Sequence, residues 1–346
     1  MNINRLTLYS HGAGCGCKIA PDVLSDILAQ APATMHFPSL LVGNMEKDDA
    51  AIMDLGDGTG LISTVDFFMP IVDDPYDFGR IAAVNALSDI YAMGGEPIIA
   101  IAILGWPVKD LGLDEAGKVM QGGRDVCNNA GIPLAGGHSI DSVEPFFGLS
   151  VNGRVALGNI KRNKGAVPGD LLYLSKPLGV GILTTAQKLE RLLPQDIDLA
   201  RDQMIIPNKI GSKLGTKPYV HAMTDITGFG LLGHLLELCE ASGVGAELHF
   251  ADIPIIGTDR LSYYLKMQCI PAATLRNWES MKGKISELPA DQRALLCDPQ
   301  TSGGLLVAVD PAFQNEFDSF AKTEEHANFT RIGCITDAQQ KLIRIH

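Results

Sequence analysis

The sequence predicts an α+β protein of two domains. Three observations lead there. The chain has 346 residues, enough for two separate cores. Short β-branched runs are interleaved with runs of helical period. A polar stretch rich in glycine, lysine and proline, 158–169 (GNIKRNKGAVPG), divides the chain and reads as an inter-domain linker.

The elements follow in order. Residues 59–68 (TGLISTVDFF) read as a strand running into a polar end. Residues 78–93 (FGRIAAVNALSDIYAM) place apolar side chains at helical spacing, and Gly94-Gly95 closes that helix. Residues 98–104 (IIAIAIL) read as a buried strand, 113–130 as a helix ending before Gly131, and 147–157 as a third strand. Beyond the linker, 170–175 (DLLYLS) opens the second half as a strand. Residues 228–241 make an amphipathic helix with Leu231, Leu232, Leu235, Leu236 and Cys239 on one stripe, and 304–309 (GLLVAV) is a late strand.

Composition removes several classes of function. A net charge of −12 and a pI of about 5.1 argue against a nucleic-acid surface, which wants a basic face. A small anionic substrate stays open, because a divalent metal can bridge acidic protein and acidic ligand. The longest apolar run, Pro97 to Val108, contains Gly105 and Pro107 and falls short of the roughly 20 residues a membrane span needs. Seven cysteines, with no signal-peptide-like start, predict a reducing cytoplasm.

Four segments carry candidate chemistry. His11-Gly-Ala-Gly-Cys15-Gly-Cys17-Lys18 is a glycine-rich loop with a nucleophile beside a cation. Lys18 is expected either to lower the Cys15 pKa or to hold a phosphate. The same loop also fits a tail without a role, whereas Cys-x-Cys is not a zinc spacing. Asp48, Asp49, Asp66, Asp89 and Asp225 are set among small residues at strand ends and helix faces. Together they could hold Mg²⁺ against polyphosphate, although any one of them also fits a cap or a turn. Gly136-Gly137-His138-Ser139 could bring backbone N–H groups to phosphate. Residues 297–304 (CDPQTSGG) read as a polar turn before a strand. No Walker-type phosphate loop is present, and Gly228-Phe-Gly230-Leu-Leu-Gly233 lacks the preceding strand a dinucleotide site requires.

Taken together, SHGAGCGCK at 10–18, VGNMEKDDAA at 42–51, the segment 63–95, AGGHSID at 135–141, MTDITGFGLLGH at 223–234 and LLCDPQTSGGLL at 295–306 closely resemble the selenophosphate synthetase family. The resemblance spans nearly the whole chain. It implies two α/β domains of the aminoimidazole ribonucleotide synthetase-like fold, with N-terminal sheets pairing across a homodimer into a barrel. Their expected division is 1–157, with a mobile loop 1–18, and 158–346. It also implies ATP-dependent conversion of selenide and water to selenophosphate, AMP and phosphate. The family's essential cysteine and lysine fall on Cys15 and Lys18, and its Mg²⁺ ligands on Asp49, Asp89 and Asp225. Its nucleotide contacts fall on Lys18, Glu46, Lys47, Asp48, Asp66, Asp89, Gly137, His138 and Ser139. A selenium-delivery protein is a conceivable partner on the same grounds.

Overall fold

A computed structural model describes residues 5–19, 21–30, 36–43, 48–324 and 328–346. Period-two patterning gives the first half six strands: β1 (Leu40–Val42), β2 (Ala51–Asp54), β3 (Thr59–Phe68), β4 (Glu96–Trp106), β5 (Leu134–Asp141) and β6 (Phe146–Ala156). They pair in the order β1-β2-β3-β6-β4-β5, antiparallel except for β4 with β5. The second half gives β7 (Leu171–Leu174), β8 (Val220–Asp225), β9 (Val244–Leu248), β10 (Leu305–Val309), β11 (Thr330–Asp337) and β12 (Ile343–Ile345). This sheet runs β12-β9-β11-β7-β10-β8, with only β9 and β12 parallel.

The helix Pro75–Ala92 joins the two halves. Its start follows from Asp74, whose side chain accepts the Asp77 N–H at 2.8 Å, and from Pro75 in the first turn. Small side chains let it bury on almost every face. One side packs on β3 and β6, another reaches β8 of the second sheet, and a third crosses the helix Leu113–Asn129. That crossing requires Gly79, where a Cβ would stand 1.9 Å from the Val119 carbonyl oxygen. Phe78, Ile81, Leu87 and Ile90 are fully buried. Each contributes about 2 kcal/mol by leaving water.

The other face of the first sheet is bare. Val65 and Ile101 both pair with Ser150 and so share a face, on which Val65, Phe67, Ile99 and Ile101 are exposed. β5 forms the edge and is exposed from Ala135 onward. Segment 158–169 runs between the sheets as expected of a linker, but it is tied down. Lys161 is buried and donates to the carbonyls of Lys217 and Val220, both at 2.8 Å. The helix over 228–241 spans Gly230–Ser242 and is buried on more than the expected stripe, Leu238 included.

Candidate functional site

Strand pleat, helix period and one loop bring the acids together. Asp66 lies within β3 rather than after it, and it faces inward with Thr64 two residues away. Opposite them, Asn85 and Asp89 are four apart on the helix Pro75–Ala92 and project from one face, with Ser88 adjacent. β8 of the other sheet delivers Thr224 and Asp225, and Asp49 closes the group from the segment before β2.

Hydroxyl and amide donors fix each carboxylate. Thr64 Oγ1 donates to Asp89 Oδ2 at 2.5 Å, Ser88 Oγ to Asp225 Oδ2 at 2.5 Å, and Thr224 Oγ1 to Asp49 Oδ1 at 2.8 Å. Asn208 Nδ2 in turn holds Ser88 Oγ at 2.8 Å. Burial, joined by the neighbouring charges, holds the Asp49 and Asp89 carboxyls well above the usual carboxylate range. Burial pushes Asp225 up to about 6, with Ser88 and Lys18 pulling the other way.

This crowding of acids fits a divalent cation. Asp49 Oδ2 is buried without a hydrogen-bond partner, which costs free energy unless a proton or metal compensates. The donors are all hard oxygens. Among the described residues no three such side chains close around an ion unaided. Mg²⁺ suits that, because it takes one or two carboxylates and completes its shell with water and phosphate oxygens.

The cysteine loop seals one side of this centre. Residues Gly14–Cys17 form a 3₁₀ turn, with Gly14 at φ +49°, where an added Cβ would meet Ile71 Cδ1 at 2.2 Å. Gly14 N–H donates to Met69 O at 3.1 Å and Cys15 N–H to Thr301 Oγ1 at 3.0 Å. The Cys15 side chain is fully buried, and its thiol donates to Asn85 Oδ1 at 3.3 Å. The same Oδ1 accepts the Ser302 N–H at 2.8 Å, while Asn85 Nδ2 donates to Asp66 Oδ2 at 2.5 Å. The amide is thereby fixed in one orientation. Lys18 Nζ completes the chain of contacts, 3.5 Å from Asp66 Oδ1.

In this structure the loop is docked. One expectation changes here: the Cys15 thiol is not acidified, because burial and the Asp66 charge raise its pKa well above the ordinary thiol value and outweigh Lys18. Lys18 itself is held more firmly protonated by Asp66.

The other candidates divide. Asp48 accepts the backbone N–H groups of Asn163 at 3.0 Å and Asp49 at 3.2 Å. Glu46 and Lys47 lie outside the described residues. Gly137, His138 and Ser139 stand on exposed β5 at the sheet edge. The sequence reading missed Asn85, Ser88, Asn208 and Lys176 as site residues, and it took Thr301 and Ser302 for a plain turn. Polar residues at 85, 88 and 89 inside an otherwise alanine- and isoleucine-rich helix were the available signal. Lys176 had none. It is buried, donates to Ile206 O at 2.6 Å and Ser302 O at 2.7 Å, and is pushed down to about 7 by burial.

Comparison with known proteins agrees with this architecture. The family model of AIR synthase related protein, N-terminal domain, matches residues 47–155, and that of its C-terminal domain matches residues 167–345. Among solved structures, thiamine monophosphate kinase from Aquifex aeolicus is similar, with a TM-score of 0.67 and 17% identity over 94% of this chain and 96% of the other. HypE, a hydrogenase maturation protein from E. coli, gives 0.61 and 18% over 94% and 92%. At that identity they speak for the fold alone. Two curated relatives are much more similar in sequence, both called selenide, water dikinase. The protein from Aeromonas hydrophila is 58% identical over 93% of this chain and 92% of its own, and that from Pseudomonas putida is 57% identical over 99% and 98%. With that identity over nearly its full length, the chain belongs to the selenide, water dikinase family and is built from the two AIR synthase related domains.

Proposed function

We propose that this chain converts selenide, ATP and water to selenophosphate, AMP and phosphate, the reaction carried by the family name. The observation that supports it most is the placement of Cys15 and Lys18, on one short loop, directly against buried Asp66, Asn85 and Asp89. Selenide is a strong nucleophile already, so the work left to the protein is positioning and charge neutralisation. Lys18 is a permanent cation at the border of the acid cluster and would meet the phosphates. Asp49, Asp89 and Asp225 would hold Mg²⁺, which when bound neutralises triphosphate charge. Asp48 and Asp66, with the segment at Glu46 and Lys47, belong to the nucleotide side in this reading. Cys15 handles selenium and becomes reactive when the loop lifts and the thiol leaves Asn85.

The same reading includes a homodimer. The bare face of Val65, Phe67, Ile99 and Ile101 is a contiguous apolar surface that a second subunit's sheet could cover to close a barrel. The exposed edge strand with Gly137, His138 and Ser139 would then contribute across that junction. The division of domains at 157/158 follows the change of sheet. Seven unpaired cysteines support a reducing, cytoplasmic setting, and no described helix is long and apolar enough to cross a membrane. A selenium-delivery protein remains a partner by family resemblance.

The test is phosphorus NMR of an anaerobic reaction with ATP, Mg²⁺ and selenide. Selenophosphate is the expected product. Cys15→Ser should abolish it while leaving nucleotide binding within about twofold, since the Cys15 thiol bonds the Asn85 amide and not a carboxylate. Wild-type product from the variant would remove Cys15 from the mechanism.

A further inference from the structure

The two faces of the cysteine loop differ in charge. Cys15 faces the acids. Cys17, half-buried and with its thiol donating to Gly14 O at 2.8 Å, lines the other side, an open cleft of about 510 Å³ between the loop and the C-terminal half. In a chain with a net charge of −12, no aspartate or glutamate is among the described residues lining that cleft. Its basic lining among the described residues is Lys18, Lys188, Arg276 and His11. Glu144 holds His11 Nδ1 at 2.7 Å but is not part of the lining. Lys188 Nζ reaches the loop carbonyls of Ser10 at 2.9 Å and Gly12 at 3.1 Å, and Arg276 Nη2 reaches that of Gly16 at 3.2 Å. The cations therefore sit where loop meets cleft. Lys18 belongs to both sides: it borders the cleft, and it pairs with Asp66.

An anion cannot approach the aspartates through their own negative field without a large cost, whereas a cationic cleft concentrates it. With no described carboxylate to hold a metal, the cleft suits an anion rather than a cation. It suits a small monoanion. Selenide near neutral pH is the monoanion HSe⁻, soft and weakly hydrated, and the cleft adds an apolar wall and the Cys17 thiol to its cations. We propose that this cleft is the uptake site for hydrogenselenide, which binds among Lys188, Arg276 and Cys17 before crossing at Lys18 to the nucleotide. The step is binding alone, with no bond made or broken. It rests on the selenophosphate-forming reading above.

The test places a charge in the cleft without touching the loop. Thr185 lines it from the helix Val180–Lys188 and is half-buried. Thr185→Glu and Thr185→Gln add the same bulk and differ by one charge. The Glu variant should show a KM for selenide about tenfold above the Gln variant, the order expected of a unit charge acting over several Å. KM for ATP should be alike in the two. A second readout needs no turnover: peptide mass spectrometry of Cys17 labelled by anionic iodoacetate against neutral iodoacetamide. Relative to a free thiol, wild type should favour iodoacetate, and Thr185→Glu should lose that preference. Equal selenide KM in both variants, or a parallel rise in ATP KM, overturns uptake through this cleft. No iodoacetate preference in wild type overturns the anion site itself. A wild-type protein that makes no selenophosphate overturns the reaction, and the labelling result still decides whether the cleft takes anions.

Discussion

Asp225→Asn should make the metal-free protein more stable, and the gain should depend on pH. In the folded chain burial lifts the Asp225 carboxyl from the usual 3.8 to about 6. A raised carboxyl holds its proton longer when folded than when unfolded. Its contribution is therefore fully present below about pH 4 and is lost as pH rises through about 6. The loss amounts to about 3 kcal/mol once the group is ionised, at about 1.4 kcal/mol per pKa unit. Asparagine keeps an oxygen to accept from Ser88 Oγ, so the 2.5 Å contact need not be forfeited. Urea unfolding in EDTA should then place the variant up to about 3 kcal/mol above wild type at about pH 8, with the gap narrowing toward about pH 5. Mg²⁺ with a non-hydrolysable ATP analogue should reverse the order, because it stabilises wild type by linkage and the variant much less. A variant no more stable than wild type at pH 8, or one with a gain that ignores pH, would refute the reasoning.

Two further outcomes follow from the loop contacts. Asn85→Ala should cost about 3–5 kcal/mol in denaturant unfolding, since it empties a buried site and strands the Ser302 N–H and one oxygen of Asp66; a loss below about 1 kcal/mol would mean the amide is not a keystone. Hydrogen exchange of the peptide spanning 5–20 should slow when Mg²⁺ and an ATP analogue bind, as Lys18 gains charge-assisted contacts to phosphate. Unchanged exchange would mean that Lys18 does not reach the nucleotide.

Legibility in the sequence followed the locality of the cause. β3 and the helices Pro75–Ala92 and Leu113–Asn129 were readable because period and capping residues are local signals. β5 was not read as a strand, because Gly136-Gly137-His138-Ser139 looks like a phosphate turn and its pairing with β4 is a distant event. The five acids could be named from their settings, but that Asp225 meets Ser88 across 137 positions could not. Lys18 beside Cys15 suggested an activated thiolate. Desolvation reversed the sign, and burial of a glycine-rich loop is a property of what packs on it, Thr301 and Ile71, rather than of its own residues.

The fixed amide of Asn85 also bears on chemical survival. Its oxygen is already committed to the Ser302 N–H and accepts a hydrogen bond from the Cys15 S–H as well, so the thiol in the docked loop is both hidden and protonated. Peroxide attacks thiolates, and accessible ones first. The docked loop thus holds the Cys15 thiol in the form that oxidises slowest.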